Sequence, residues 1–169
     1  MFATLVGLTA ELAPFMSRAF VKESDRDDET LPDREVSTHP NFVTARGLAR
    51  LEARVRELEQ ERSAARAVGD SGTVARAARE LRYYQVRRDS ARLIEPAVSP
   101  RVVRFGVQVH LDCGDGSQRS YRIVGEDESD PACGLLSYVS PLARELIGLE
   151  TGDEVRIGEL TAVVCRLET

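Results

Sequence analysis

The 169-residue chain has no tryptophan, and aromatic residues make up only 5% of it. An aromatic-lined pocket is hard to build from so few rings. Histidine is scarce too: His39 and His110 lie far apart in the chain. No Ser/His/Asp or Cys/His catalytic arrangement is visible, and nothing supports a self-contained active site. The cysteines, Cys113, Cys133 and Cys165, are odd in number and form no CxxC pair. That pattern excludes a disulfide framework and a zinc site, and predicts buried thiols in a reducing compartment. His110 and Cys113 could pair on a metal, but strand alternation already explains their spacing. Lys22 is the only lysine, so nearly all the positive charge is arginine. The net charge of -5 argues against coating nucleic acid by charge alone. No apolar run is long enough to cross a membrane. The first twenty residues lack a basic region, and Glu11 interrupts them, which speaks against a signal peptide. A cytoplasmic protein is expected.

What is present falls into three segments. Residues 1–42 are acidic, notably in "ESDRDDETLPDRE" (Glu23–Glu35), and are expected to be poorly ordered, anchored at most by Phe15, Phe20 and Val21. Residues 43–95 read as a helical hairpin. Thr44 is a candidate N-cap, and Leu48, Leu51, Val55, Leu58, Arg62 and Ala65 step by three and four. So narrow a seam is typical of a coiled coil. "GDSG" (Gly69–Gly72) breaks the helix, and a second seam follows through Val74, Ala77, Leu81, Tyr84, Arg88 and Ala91. Arms of about 22 to 26 residues would extend roughly 33–39 Å. The many arginines share these helices with Glu52, Glu57, Glu59, Glu61, Glu80 and Asp89, as a solvated mixed-charge surface does. "EPAVSP" (Glu95–Pro100) ends the hairpin with two prolines.

In residues 100–169 the period changes to two. "RVVRFGVQVHLDCGDGSQRSYRIVG" predicts two strands around "CGDGS", with Val107, Val109 and Leu111 facing inward. "GDGS" lacks the Lys-Ser/Thr ending of a phosphate-binding P-loop. "SPLARELIG" predicts a short helix with Pro141 at its first position and Leu142, Leu146 and Ile147 buried. Two strands around Gly158 close the chain. The fold class is α+β: an N-terminal antiparallel helical hairpin, then a small, mostly antiparallel sheet with one short helix.

From Val43 onward, the chain resembles the bacterial GreA/GreB transcription elongation factors. "YRIVGEDESD" (Tyr121–Asp130) and "SPLARELIGLETGDEV" (Ser140–Val155) are similar to that family's C-terminal signature. "VRFGVQV" (Val103–Val109) looks like its first C-terminal strand. "VTARGLARLEARVREL" (Val43–Leu58) resembles its Thr-x-x-Gly helix start, and "GDSG" falls where the family has its coiled-coil tip. The resemblance implies an FKBP-like C-terminal domain that docks on RNA polymerase, here through Ser140, Pro141 and Arg144. It also implies a coiled coil inserted into the polymerase secondary channel. Two tip acids of the family help bind the second Mg²⁺ of the polymerase, which hydrolyses backtracked RNA. The implied protein is a monomeric accessory factor with no complete active site, no cofactor of its own beyond a shared Mg²⁺, no stably bound metal, and no specific DNA recognition. It would meet nascent RNA only indirectly.

The tip departs from the family pattern Gly-Asp-x-x-Glu-Asn. Asp70 matches the first acid, within Gly69, Ser71, Gly72 and Thr73, but Thr73 stands where glutamate is expected and Val74 where asparagine is. Glu80 lies about 11 Å or more from the tip and is too distant to substitute. The descending helix is about two residues short, and Val139 precedes Ser140 where the family has Asp or Asn. These departures leave two readings open: weakened cleavage stimulation, or a non-cleaving channel-binding regulator of Rnk-like or anti-Gre type. A prolyl isomerase, by analogy to FKBP, conflicts with the scarcity of aromatics. A generic coiled-coil interaction protein leaves the Ser140–Val155 match unexplained.

Overall fold

The computed structural model describes residues 32–169. Phe15, Phe20 and Val21 lie outside the described residues. β1 (Phe42–Val43) leads into α1 (Ala45–Val68), which Thr44 caps by accepting the Gly47 N–H at 2.9 Å. After Gly69 and Asp70 the chain reverses into α2 (Ser71–Asp89). Gly69 takes the left-handed conformation (φ 75°) that closes α1, a conformation glycine adopts without steric cost. β2 (Arg92–Leu93) then pairs in parallel with β1 at the base of the hairpin.

Val55, Leu58 and Leu81 form the buried seam between the helices, with Tyr84 packed against it. Ala65 and Ala77 are buried nearer the tip. Two expectations about this seam are corrected. The second arm is shorter than expected, 19 residues against 24 in α1. Its buried arginine is Arg87, not Arg88: α2 turns by 3.6 residues, and ion pairs at the base draw position 87 inward.

β3 (Gln108–Cys113), β4 (Gln118–Val124), β5 (Leu135–Ser137), β6 (Glu154–Ile157) and β7 (Leu160–Glu168) form one sheet in the order β5-β4-β3-β7-β6. All its pairs are antiparallel except β4–β5. The alternation expected in β3 is present: Val107, Val109 and Leu111 are buried while Asp112 is exposed. "GDGS" is the β3–β4 turn, where Asp115 Oδ1 accepts from the Ser117 N–H at 2.9 Å and its hydroxyl at 2.6 Å. α3 (Pro141–Leu146) packs Ala143 and Leu146 into the core. Ile147, expected to be buried, is exposed instead because the helix has ended and the backbone has turned extended there. The thiols are corrected as well. Cys113 is buried, but Cys133 and Cys165 are exposed. Cys133 ends a surface turn, and Cys165 sits on the outward face of β7.

The segment ahead of β1 also departs from expectation. Residues 32–41, assigned by composition to a poorly ordered extension, run beside α2. Asp33 pairs with Arg82 at 2.6 Å and Arg34 with Glu80 at 2.8 Å. The Arg34 guanidinium also lies over the Tyr83 ring, 3.7 Å from its centroid. The pairs run both ways: an acid of this segment meets an arginine of α2, and an arginine of the segment meets an acid of α2.

Candidate functional site at the hairpin tip

Only Gly69 and Asp70 separate the two helices. Ser71, Gly72 and Thr73 form the first turn of α2, and Asp70 is its N-cap. Asp70 Oδ1 accepts the Thr73 N–H at 3.0 Å. Hydrogen bonding from Thr73 holds the Asp70 carboxyl below its ordinary range, with Arg76 adding to the effect. The fully exposed carboxylate is therefore ionised at neutral pH. The Thr73 hydroxyl accepts from Arg76 Nη2 at 3.3 Å, and the same guanidinium reaches Glu61 at 3.4 Å. Beside these polar groups, Val68 is 79% exposed.

Cap geometry explains what position 73 controls. A residue three after an N-cap is the second member of a capping box, whose side chain folds back towards the cap. A glutamate there would sit beside Asp70. Thr73 supplies a shorter, neutral group already engaged by Arg76. The tip donor set is thus one carboxylate with one oxygen in a cap, plus hydroxyls. A hard divalent ion takes six or more oxygen ligands, so this set fits only an ion held mainly by other groups. Among the described residues, no cluster of three His, Cys, Asp or Glu could hold a metal. Glu80 is occupied elsewhere, on Arg34.

Ser140 and Pro141 start α3, and Arg144 lies in its last turn. The Ser140 hydroxyl accepts the Ala143 N–H at 3.3 Å, and Pro141 takes the first helical position. Arg144 is exposed, its Nη2 3.3 Å from His39 Nε2. His39 therefore stands beside α3 rather than near His110. Val139 is half-buried and offers no charge.

Two groupings were hidden in the sequence. On the outward face of the sheet, Ser120 Oγ is 2.7 Å from His110 Nδ1, and His110 Nε2 is 3.1 Å from Glu168. This is a Ser-His-Glu string, although the sequence had suggested none; its members come from three strands. The face is open and Ser120 exposed, so the string lacks the water exclusion that makes such groups reactive. The second grouping joins hairpin to sheet. Tyr83 donates to Asp127 at 2.7 Å, Arg87 pairs with Asp127 and Glu126, and Thr44 donates to Glu128 at 2.6 Å. Burial and the hydrogen bond to Asp127 push the Tyr83 hydroxyl up to about 12. The sequence signals were in view, as Thr44 and "YRIVGEDESD" both stood out, but their contact spans 84 residues.

A helical hairpin set on a small α+β half, with one ionised acid at an exposed turn, defines a protein that presents a tip. A family model described as "Transcription elongation factor, GreA/GreB, C-term" matches residues 98–163. The transcription elongation factor GreB of Xanthomonas axonopodis pv. citri is 38% identical over 143 residues, 73% of this chain and 84% of that protein. The GreB of Pseudomonas aeruginosa is 36% identical over 135 residues, 69% and 80% of the two chains. The chain belongs to the GreA/GreB family of transcription elongation factors. Against the GreA of Psychrobacter arcticus it is 40% identical over 87 residues, spanning about half of each protein, 50% and 55%. Among solved structures, the GreA factor homolog 1 (Gfh1) protein of Thermus thermophilus aligns with TM-score 0.39 and 18% identity, over 78% of this chain and 100% of that one. That likeness is too low to carry weight.

Proposed function

We propose that this protein is an accessory factor of bacterial RNA polymerase. The surface around Ser140, Pro141 and Arg144 docks on the enzyme. The hairpin enters the secondary channel and brings Gly69–Thr73 to the polymerase active site. Family membership supports this reading, as does a tip whose one acid is exposed and ionised. The factor contributes no complete active site of its own. A magnesium ion held by the polymerase would supply Lewis-acid activation of the attacking water. Asp70 would add at most one carboxylate to that ion.

The observation that carries the finer reading is the pairing of a capping Asp70 with Thr73. One carboxylate, partly engaged by its own helix, holds a shared ion less firmly than two. We therefore infer that the protein modulates backtracked or paused complexes with weakened stimulation of RNA cleavage. The same pairing favours a second reading, a regulator that occupies the channel without promoting cleavage.

One assay separates them. RNA polymerase is stalled in a backtracked complex, and RNA cleavage is followed with the protein and with Asp70→Ala. Slow cleavage that requires Asp70 supports the first reading. Polymerase binding with no added cleavage supports the second, and absence of binding overturns both. Thr73→Glu is expected to raise cleavage about tenfold or more, the scale on which groups around a metal change activity.

A further inference from the structure

Three consecutive acids, Glu126, Asp127 and Glu128, follow β4 in a single turn of 3-10 helix, and each reaches the hairpin. Glu128, only 4% exposed, accepts the Thr44 hydroxyl at the start of α1. Asp127 accepts from Tyr83 and Arg87 in α2, and Glu126 is 3.3 Å from Arg87. Arg87 is 1% exposed, and its carbonyl accepts from the Asn41 side chain. Contact at α1 is close: a Cβ added at Gly47 would lie 2.7 Å from Glu128 Oε2, so the carboxylate would have to shift. One short turn therefore grips both helices at the end opposite the tip.

A buried guanidinium that loses its partners leaves an uncompensated charge, so other hairpin orientations are penalised strongly. The hairpin is also a lever. With 24 residues in α1, about 36 Å long, a rotation of about 10° at the base moves the tip by roughly 6 Å. That exceeds the tolerance of a group placed beside a metal.

We propose that the acidic turn Glu126–Glu128 is a positioning clamp. With Arg87 and Tyr83 as positioning residues, it fixes the direction in which the hairpin leaves the sheet and hence where Asp70 arrives. Only the consequence for transcription rests on the reading of the hairpin as the part that enters the polymerase; the clamp itself is a property of the free protein.

The test measures direction first. Spin labels are placed at Arg66→Cys near the tip and Glu159→Cys on the sheet, with Cys113→Ala, Cys133→Ser and Cys165→Ser removing the native thiols. Their separation is read by electron–electron double resonance. The expected result is one narrow distance, broadened or displaced by Arg87→Met and by Asp127→Asn while helix content is kept, with Arg87→Lys falling between. Should Arg87→Met fail to fold, Tyr83→Phe and Thr44→Val loosen the two helices separately and are expected to broaden the same distance. An unchanged narrow distance in all folded variants, or a broad distance in the parent, overturns the clamp. On backtracked polymerase, the effect of Asp127→Asn at saturation is expected to fall about tenfold or more, as for a misplaced reacting group, with little change in the half-saturating concentration. If the parent has no effect on polymerase, the proposed function fails while the distances still judge the clamp.

Discussion

Asp70 serves its own helix and, in the proposed function, an ion outside the protein. Its carboxylate caps α2 through the Thr73 N–H. Because the folded state holds its pKa below the ordinary 3.8, it stabilises the fold above that pH. The contribution is lost as pH falls from 3.8 through the lower folded value. Amide exchange at Ser71–Thr73 is expected to accelerate over that window, and in Asp70→Ala to be fast at every pH. Equal exchange in parent and variant at neutral pH would remove the cap from the account. Tyr83 shows the opposite case. Its hydroxyl is pushed up to about 12, so the folded state favours the neutral form. The support from Tyr83 is complete below the ordinary value of 10.0 and is lost as pH rises through about 12. In an absorbance titration of the four tyrosines, one step is expected near 12 and should vanish in Tyr83→Phe; a persisting step would assign it to another ring.

The hairpin and the sheet differ in how much holds each together. The sheet has a continuous core from Val103 to Val164, whereas the hairpin seam rests on Val55, Leu58 and Leu81 with Tyr84 beside them. Leu58→Ala is expected to cost about 2–5 kcal/mol. Urea unfolding followed by helix signal and by the environments of Tyr121 and Tyr138 should then separate into two transitions, the hairpin first. A single coincident transition would mean that the clamp couples the two halves fully. Much of this architecture was legible in the sequence, because seam spacing, the Gly69 break and β3 alternation are local signals. The Arg87 burial was not legible: Arg87 and Arg88 are chemically identical, and only the acidic turn distinguishes them. β5 escaped because its three residues pair in parallel with β4 across a connection that holds two 3-10 turns. At the tip, the positions of Asp70 and Thr73 were legible from the glycines. The capping role of Asp70 was less so, since a two-residue break leaves Ser71–Thr73 helical where a loop was expected.

At the scale of the molecule, and among the described residues, two sets of ion pairs bind different parts to α2, and their surroundings predict an order of release. Asp33–Arg82 and Arg34–Glu80 tie residues 32–41 to the helix; Asp33 is 69% exposed, and the part-buried Arg34–Glu80 pair is still more open to solvent than Arg87. Arg87–Asp127 ties the sheet to the same helix from a buried position. Exposed pairs contribute little and are screened by salt, whereas buried pairs are screened much less. Raising salt from about 0.1 M to about 1 M shortens the screening length from about 10 Å to about 3 Å. Residues 33–39 should therefore loosen well before the acidic turn does. Deuterium exchange followed by peptide mass is expected to rise severalfold over 33–39, with little change over 41–44 and 126–128. Arg34→Ala should produce the same loosening at low salt, because it removes both the Glu80 pair and the stacking on Tyr83. Loosening of 126–128 first would reverse the order and show that the segment ahead of β1, rather than the buried arginine, is what holds α2 in place.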